Sequence, residues 1–155
     1  MPERPRPWKP IDLEPVTPAH VRALLKVRKC RAGDQADRML EQVTPRSEKI
    51  RLDLTKVRVQ ELGFPHGADL EDIYKKAAEF KLELCPGDVA AKLRVEYLEQ
   101  PKDEILKIAM QPLIVDNHQL LFTLTRIFNQ LWLGASAGLP KSHYGAKCQF
   151  VFVPT

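Results

Sequence analysis

Apolar residues recur at helical spacing in the first third of the chain and again around residue 70. Thr17 is a capping residue and Pro18 suits a first helical turn. Val21, Leu24 and Leu25 make one apolar stripe, and Gly33 stands as the residue past its end. Asp34 then caps a second short helix whose apolar set, Ala36, Met39, Leu40 and Val43, follows i, i+3, i+4, i+7. Thr44-Pro45 closes it, because the residue before a proline is pushed out of the helical region. Residues 50–59 alternate apolar with polar, a period of two that predicts a strand, expected to add at a sheet edge. Gly63, Pro65 and Gly67 break the connection that follows. Asp69 caps a third helix that buries Leu70, Ile73, Tyr74, Ala77 and Phe80. Residues 82–85 read as a short extended piece, and Pro86 opens one more helical turn through Val89 and Leu93.

From Leu93 onward the pattern changes to hairpins. Leu93, Val95 and Tyr97 alternate with Arg94, Glu96 and Leu98, and residues 100–103 form a turn. Ile105, Lys107, Ala109 and Gln111 alternate against Leu106, Ile108, Met110 and Pro112, with a second turn at 116–119. Residues 120–128 and 131–135 are strands rich in β-branched and aromatic side chains, joined at Asn129-Gln130. The last strand, Phe150-Val151-Phe152-Val153, is apolar on both faces. It must be central, covered, or buried against a second subunit, since an exposed apolar edge aggregates. Helices first and strands afterwards predict an α+β fold: N-terminal helices, then one helix packed on a mainly antiparallel sheet of four to five strands. The expected division is a Pro-rich basic arm over 1–16, a helical segment over 17–49 and an α+β domain over 50–155.

Composition narrows the classes. A chain of 155 residues, 44% hydrophobic and 28% charged, is neither disordered, collagenous, coiled-coil nor a disulfide miniprotein. It holds no apolar run near the ~20 residues that cross a bilayer, so no membrane partner is expected. Cys30, Cys85 and Cys148 are odd in number and widely spaced, which favours free thiols in a reducing, cytoplasmic compartment. The net charge of +4 is unevenly distributed. Residues 1–51 carry twelve basic and seven acidic side chains, net +5, whereas residues 52–155 carry twelve and thirteen, net −1. Five prolines, Pro2, Pro5, Pro7, Pro10 and Pro15, hold the first sixteen residues extended, with Trp8 and Ile11 as anchors onto the domain.

A set of short motifs carries a resemblance. Glu61-Leu62-Gly63-Phe64, Gly67-Ala68, Leu84-Cys85-Pro86, Leu93-Arg94-Val95-Glu96-Tyr97 with Gln100-Pro101, Ile108-Ala109-Met110-Gln111-Pro112, Trp132-Leu133 and Phe150-Val151-Phe152-Val153 span two thirds of the chain. In these the chain resembles an uncharacterised family of bacterial hypothetical proteins. The resemblance implies a bacterial origin and one compact domain, and it implies no activity and no site residue.

Candidate chemistry is sparse. His20, His66, His118 and His143 are scattered with no zinc-type spacing, and no phosphate-cradling glycine loop occurs, so neither metal nor cofactor is expected. Cys85 precedes a proline at a helix start but has apolar neighbours, which marks a structural thiol. Glu96 and Glu104 are expected to face one another across a hairpin, a geometry that permits acid–base work. Glu96, Tyr97, Gln100, Trp132, His143 and Tyr144 are the polar and aromatic candidates for a groove. Arg22, Lys26, Arg28, Lys29 and Arg31 are the candidates for anion binding, in a stretch, 20–33, that holds no acid. The leading reading is a small cytosolic, non-enzymatic binding or regulatory protein whose partner is another protein or a second copy of itself. One alternative is a nucleic-acid-associated protein using the basic N-terminal third. The other is a hydrolase using Glu96 or Glu104 with His143.

Overall fold

The computed structural model describes residues 6–155. In chain order its elements are β1 (Lys9–Leu13), α1 (Pro18–Val27), β2 (Cys30–Ala32), α2 (Asp34–Leu40), β3 (Ile50–Arg58), a 3-10 turn (Val59–Leu62), β4 (Ala68–Asp69), α3 (Leu70–Glu79), β5 (Leu82–Glu83), α4 (Val89–Glu96), β6 (Ile105–Ile108), β7 (Leu113–Val115), β8 (His118–Ile127), β9 (Gln130–Ala137), β10 (His143–Tyr144) and β11 (Gln149–Pro154). Nine strands form one mixed sheet curled into a half-barrel. Its order is β1-β3-β11-β6-β8-β9-β2, with β5 beside β11 and β7 beside β8. The β11–β6 and β2–β9 pairs are parallel and the remaining pairs antiparallel.

This corrects the expected fold class. The molecule is mostly β, with four helices among the described residues, and not one helix on four or five strands. Three local differences account for it. First, residues 93–96 belong to α4 and form no hairpin arm with residues 105–111. Val89, Ala90, Ala91, Leu93, Arg94 and Val95 are all buried, so the polar side of the helix narrows to Lys92 and Glu96 and leaves little 3.6 period to read. Second, β3 is internal, because residues 9–13 of the Pro-rich segment pair with it from Lys9↔Leu54 to Leu13↔Ile50. Pro10 is tolerated there because β1 is itself an edge strand. Third, Gly33 ends no helix. Helix α1 stops at Val27, Lys29 turns the chain with φ 58°, and β2 follows, leaving Gly33 as the N-cap of α2.

Cross-strand partners share a face, so the register sorts the sheet into two sides. On the inner side lie Leu106, Ile108, Phe122, Leu124, Leu131, Leu133 and Val151, all buried. Helix α4 covers this side: the Cys30 thiol, paired in register with Leu131, donates to the Arg94 carbonyl at 3.8 Å. On the outer side, Phe150 and Phe152 meet the Tyr74 ring of α3 edge-on at 6.4 and 6.2 Å. Tyr144 of β10 meets Phe150 at 5.1 Å. Helix α3 and the β4–β10 pair thus roof only one end of the outer side. Strand β11 lies between β3 and β6, so both of its edges are paired, and Phe150, Val151 and Phe152 on its two faces are fully buried.

Candidate binding face

The other end of the outer side is open. One register row runs Arg31 (β2), Trp132 (β9), Thr125 (β8), Ile105 (β6). Arg31 and Ile105 are exposed, Trp132 and Thr125 half-buried, and Ile105 keeps 52% of its surface in water. The Arg31 guanidinium lies 6.0 Å from the centre of the Trp132 ring, a cation–π arrangement that orients both groups along the face. Two residues beyond Thr125 on the same side is Ile127, also 52% exposed. The two-residue turn Phe128-Asn129 then leads into β9. Phe128 is 91% exposed and has φ 55°, the left-handed region that hairpin turns reserve for Gly, Asn or Asp. The Gln130 amide donates to the Lys29 carbonyl at 2.8 Å, tying this tip to the α1–β2 turn, where Val27 is 74% exposed.

The basic residues divide between two roles. Arg22 is engaged: its Nε donates to Asp37 at 2.8 Å and its Nη1 to Glu41 at 2.5 Å, and these hydrogen bonds raise its pKa. Lys26, Arg28, Lys29 and Arg31 make no ion pair among the described residues. Lys107 continues the open face inward, sharing register with Thr123 and sitting 5.3 Å from the Tyr144 ring centre. Burial lowers the Lys107 pKa.

The groove residues fall into three places. Tyr97 and Gln100 belong to a buried network around Arg94, which is 0% exposed. Arg94 Nη1 donates to Gln100 Oε1 (2.6 Å) and to the Thr125 and Trp132 carbonyls, and Nη2 donates to the Tyr97 carbonyl (2.6 Å). Gln100 Nε2 donates to the Glu104 and Leu124 carbonyls. The Tyr97 hydroxyl donates to Glu104 at 2.8 Å; burial, helped by that carboxylate, pushes the phenol pKa well up. Glu104 also holds Lys56 at 2.8 Å. Glu96, by contrast, is exposed on α4 and paired with Lys92 at 3.6 Å, so it does not face Glu104 across a hairpin. His143 lies in β10, with Nδ1 3.0 Å from Asp69 Oδ1 across the β4–β10 pair. Tyr144 beside it is buried, its hydroxyl bonded to the Ala137 carbonyl. Only Trp132 of this set lies in the open row. Gly67 is required beside His143: with φ 92°, any Cβ there would stand 2.6 Å from the Tyr144 carbonyl oxygen.

Two concavities lie on the helical side. An apolar cleft of about 50 Å³ is walled by Leu13, Val21, Leu24, Val43, Ala91 and Val95. A wider one of about 510 Å³ runs past Cys85, Pro86 and Met110. Thr44, Pro45 and Arg46 border both, and Arg46 clasps Asp88 through two bonds of 3.0 and 3.1 Å. Among the described residues no cluster of three or more His, Cys, Asp or Glu could hold a metal ion, and no helix is long and apolar enough to cross a membrane. Cys30, Cys85 and Cys148 are free thiols.

Ile105, Ile127 and Phe128 were not among the candidates that residue type singled out. A signal existed for one of them: an aromatic at a hairpin corner where the backbone favours glycine. Compared with known proteins, the chain matches no family model, no curated protein and no solved structure.

Proposed function

We propose that the protein is a small, cytoplasmic, non-enzymatic binding module that docks its partner on the open outer face between β2 and β6. One observation carries this reading. The row Arg31, Trp132, Thr125 and Ile105, extended by Ile127 and Phe128, leaves aromatic and aliphatic surface in water, while the exposed positions at the β1–β3 end of the sheet are polar or charged apart from Pro10. Contiguous exposed apolar surface rimmed by charge is the mark of an interaction site. The acid and the imidazole considered for catalysis are engaged structurally: Glu104 with Tyr97 and Lys56, His143 with Asp69. That pattern favours recognition over turnover.

The reading is tested with a photo-crosslinking amino acid in place of Phe128, and separately in place of Lys75, which is exposed on α3. Irradiation in cells should give adducts from position 128 that fade when Trp132→Ala is added, and few from position 75. An adduct at twice 17.7 kDa would identify the partner as a second copy. Equal adducts from both positions, or none from position 128, would remove the face as the docking surface.

A further inference from the structure

Resting on the reading of this face as the docking surface, we propose that its ligand is single-stranded nucleic acid. Bases would stack on Trp132 and Phe128, and phosphates would pair with Arg28, Lys29 and Arg31.

Three independent features converge on that ligand. The first is aromatic display. Phe128 has almost no contact with its own protein, and it holds a backbone conformation that costs a bulky side chain free energy. Neither packing nor turn chemistry accounts for an aromatic there. Trp132 lies two residues along β9 from the start of the strand, about 7 Å, on the side where the sheet is open. Two aromatic rings at the edge and on the face of an uncovered sheet form a stacking platform. Such platforms accept unpaired bases irrespective of sequence, because every base has a π-face.

The second feature is charge. The α1–β2 turn brings Arg28 and Lys29 to the hairpin tip through the Gln130–Lys29 bond, and β2 places Arg31 against Trp132. None of these cations has a carboxylate partner among the described residues, and Lys26 precedes them on α1. On the opposite flank, Glu99 and Glu104 are taken up by Lys9 and Lys56, leaving Asp103 as the unpaired acid of that segment. A polyanion meets little repulsion here.

The third feature is shape. Stacked bases inside a duplex cannot reach rings that lie on a sheet face, so the platform selects unpaired strands. Arg28 and Lys29 lie in the α1–β2 turn and Arg31 in β2, so these cations are not carried along a helix that could be laid into a duplex groove.

The test uses the full chain and a fluorescein-labelled dT12 or U12 strand, read by anisotropy. Binding is expected at 50 mM salt and should weaken roughly 20–50-fold by 200 mM if three to four phosphates are neutralised. Trp132→Ala and Phe128→Gly should each lower affinity roughly 5–150-fold, the range for losing one stacked base. Phe128→Gly places in the turn the residue its backbone favours, so its loss of binding cannot be attributed to misfolding. Lys75→Ala on α3 should change nothing, and a duplex of equal length should bind more weakly. The proposal is overturned if the wild-type chain does not bind the strand at 50 mM salt, or if Phe128→Gly and Trp132→Ala bind as the wild type does. It is also overturned if vesicles containing phosphatidylserine are bound through Phe128 while the strand is not. That last outcome would assign the face to an anionic membrane and leave its role as the docking surface standing, whereas absent crosslinks from position 128 would remove both.

Discussion

Phe128 concentrates the argument at the scale of single residues. A side chain with a Cβ at φ 55° is held in the left-handed region at a cost of about 1 kcal/mol, and 91% exposure returns little packing. Phe128→Gly should therefore stabilise the fold by about 1 kcal/mol, raising the melting temperature by about 2–4 °C, while weakening binding. A lower melting temperature would mean that Phe128 is held by contacts within the fold. Cys85 makes the opposite case, a residue whose meaning is internal. Its thiol is buried and donates to the Val151 carbonyl at 3.3 Å, and burial raises its pKa above the ordinary 9.0. The folded state thus favours the protonated thiol. That contribution is complete below pH 9 and is lost as the pH rises from there toward the folded value. Urea midpoints at pH 8 and pH 10 check it: the wild type should fall across this interval by more than Cys85→Ala does. Equal falls would contradict the assignment.

At the scale of elements, α4 combines a strand-like sequence pattern with a large part of the architecture. Leu93, Val95 and Tyr97 alternate with Arg94, Glu96 and Leu98, which imitates a strand. Tertiary burial overrides the pattern, because a helix packed on several sides keeps only a narrow polar side, here Lys92 and Glu96. Arg94 then fastens the end of that helix to the sheet, since one guanidinium serves Gln100 Oε1 and the carbonyls of Tyr97, Thr125 and Trp132. Its Nε has no partner. Arg94→Met keeps the volume but takes the guanidinium from two buried acceptors, Gln100 Oε1 and the Tyr97 carbonyl, and from the part-buried Thr125 and Trp132 carbonyls, so about 3 kcal/mol or more of stability should be lost in urea unfolding. A loss under 1 kcal/mol would show that the network rearranges without it. Elements with a plain period were legible beforehand: α3 over its apolar stripe, β3 by alternation, and β8 and β9 by β-branched and aromatic content. Strand order was not legible, because the pairing of β1 with β3 and the parallel β11–β6 and β2–β9 contacts join segments far apart in the chain.

At the scale of the whole molecule, the helices distribute the surface. Helices α1, α2 and α4 with the 41–49 connection lie on the inner side, while α3 and the β4–β10 pair shield the outer side near Phe150. Toward β2 they leave uncovered the row from Arg31 to Ile105. The uneven charge along the chain was visible in sequence, yet its meaning depended on the fold. Arg22 turns inward to Asp37 and Glu41, and Arg38 pairs with Asp116 at 2.5 Å, whose carboxyl it holds below the usual range. Among the described residues of the basic first third, Arg6, Lys26, Arg28, Lys29 and Arg31 make no ion pair, and a parallel strand contact brings Arg31 to Trp132.

The most direct measurement is a backbone and indole amide chemical-shift map of the full chain, titrated with a 12-nucleotide single strand. The expected perturbations are those of Lys29, Arg31, Thr125, Phe128 and the Trp132 indole N–H, with α3 and the Leu13–Val95 cleft unmoved. Perturbations centred on that cleft, or none at saturating strand, would contradict the assignment of the open face.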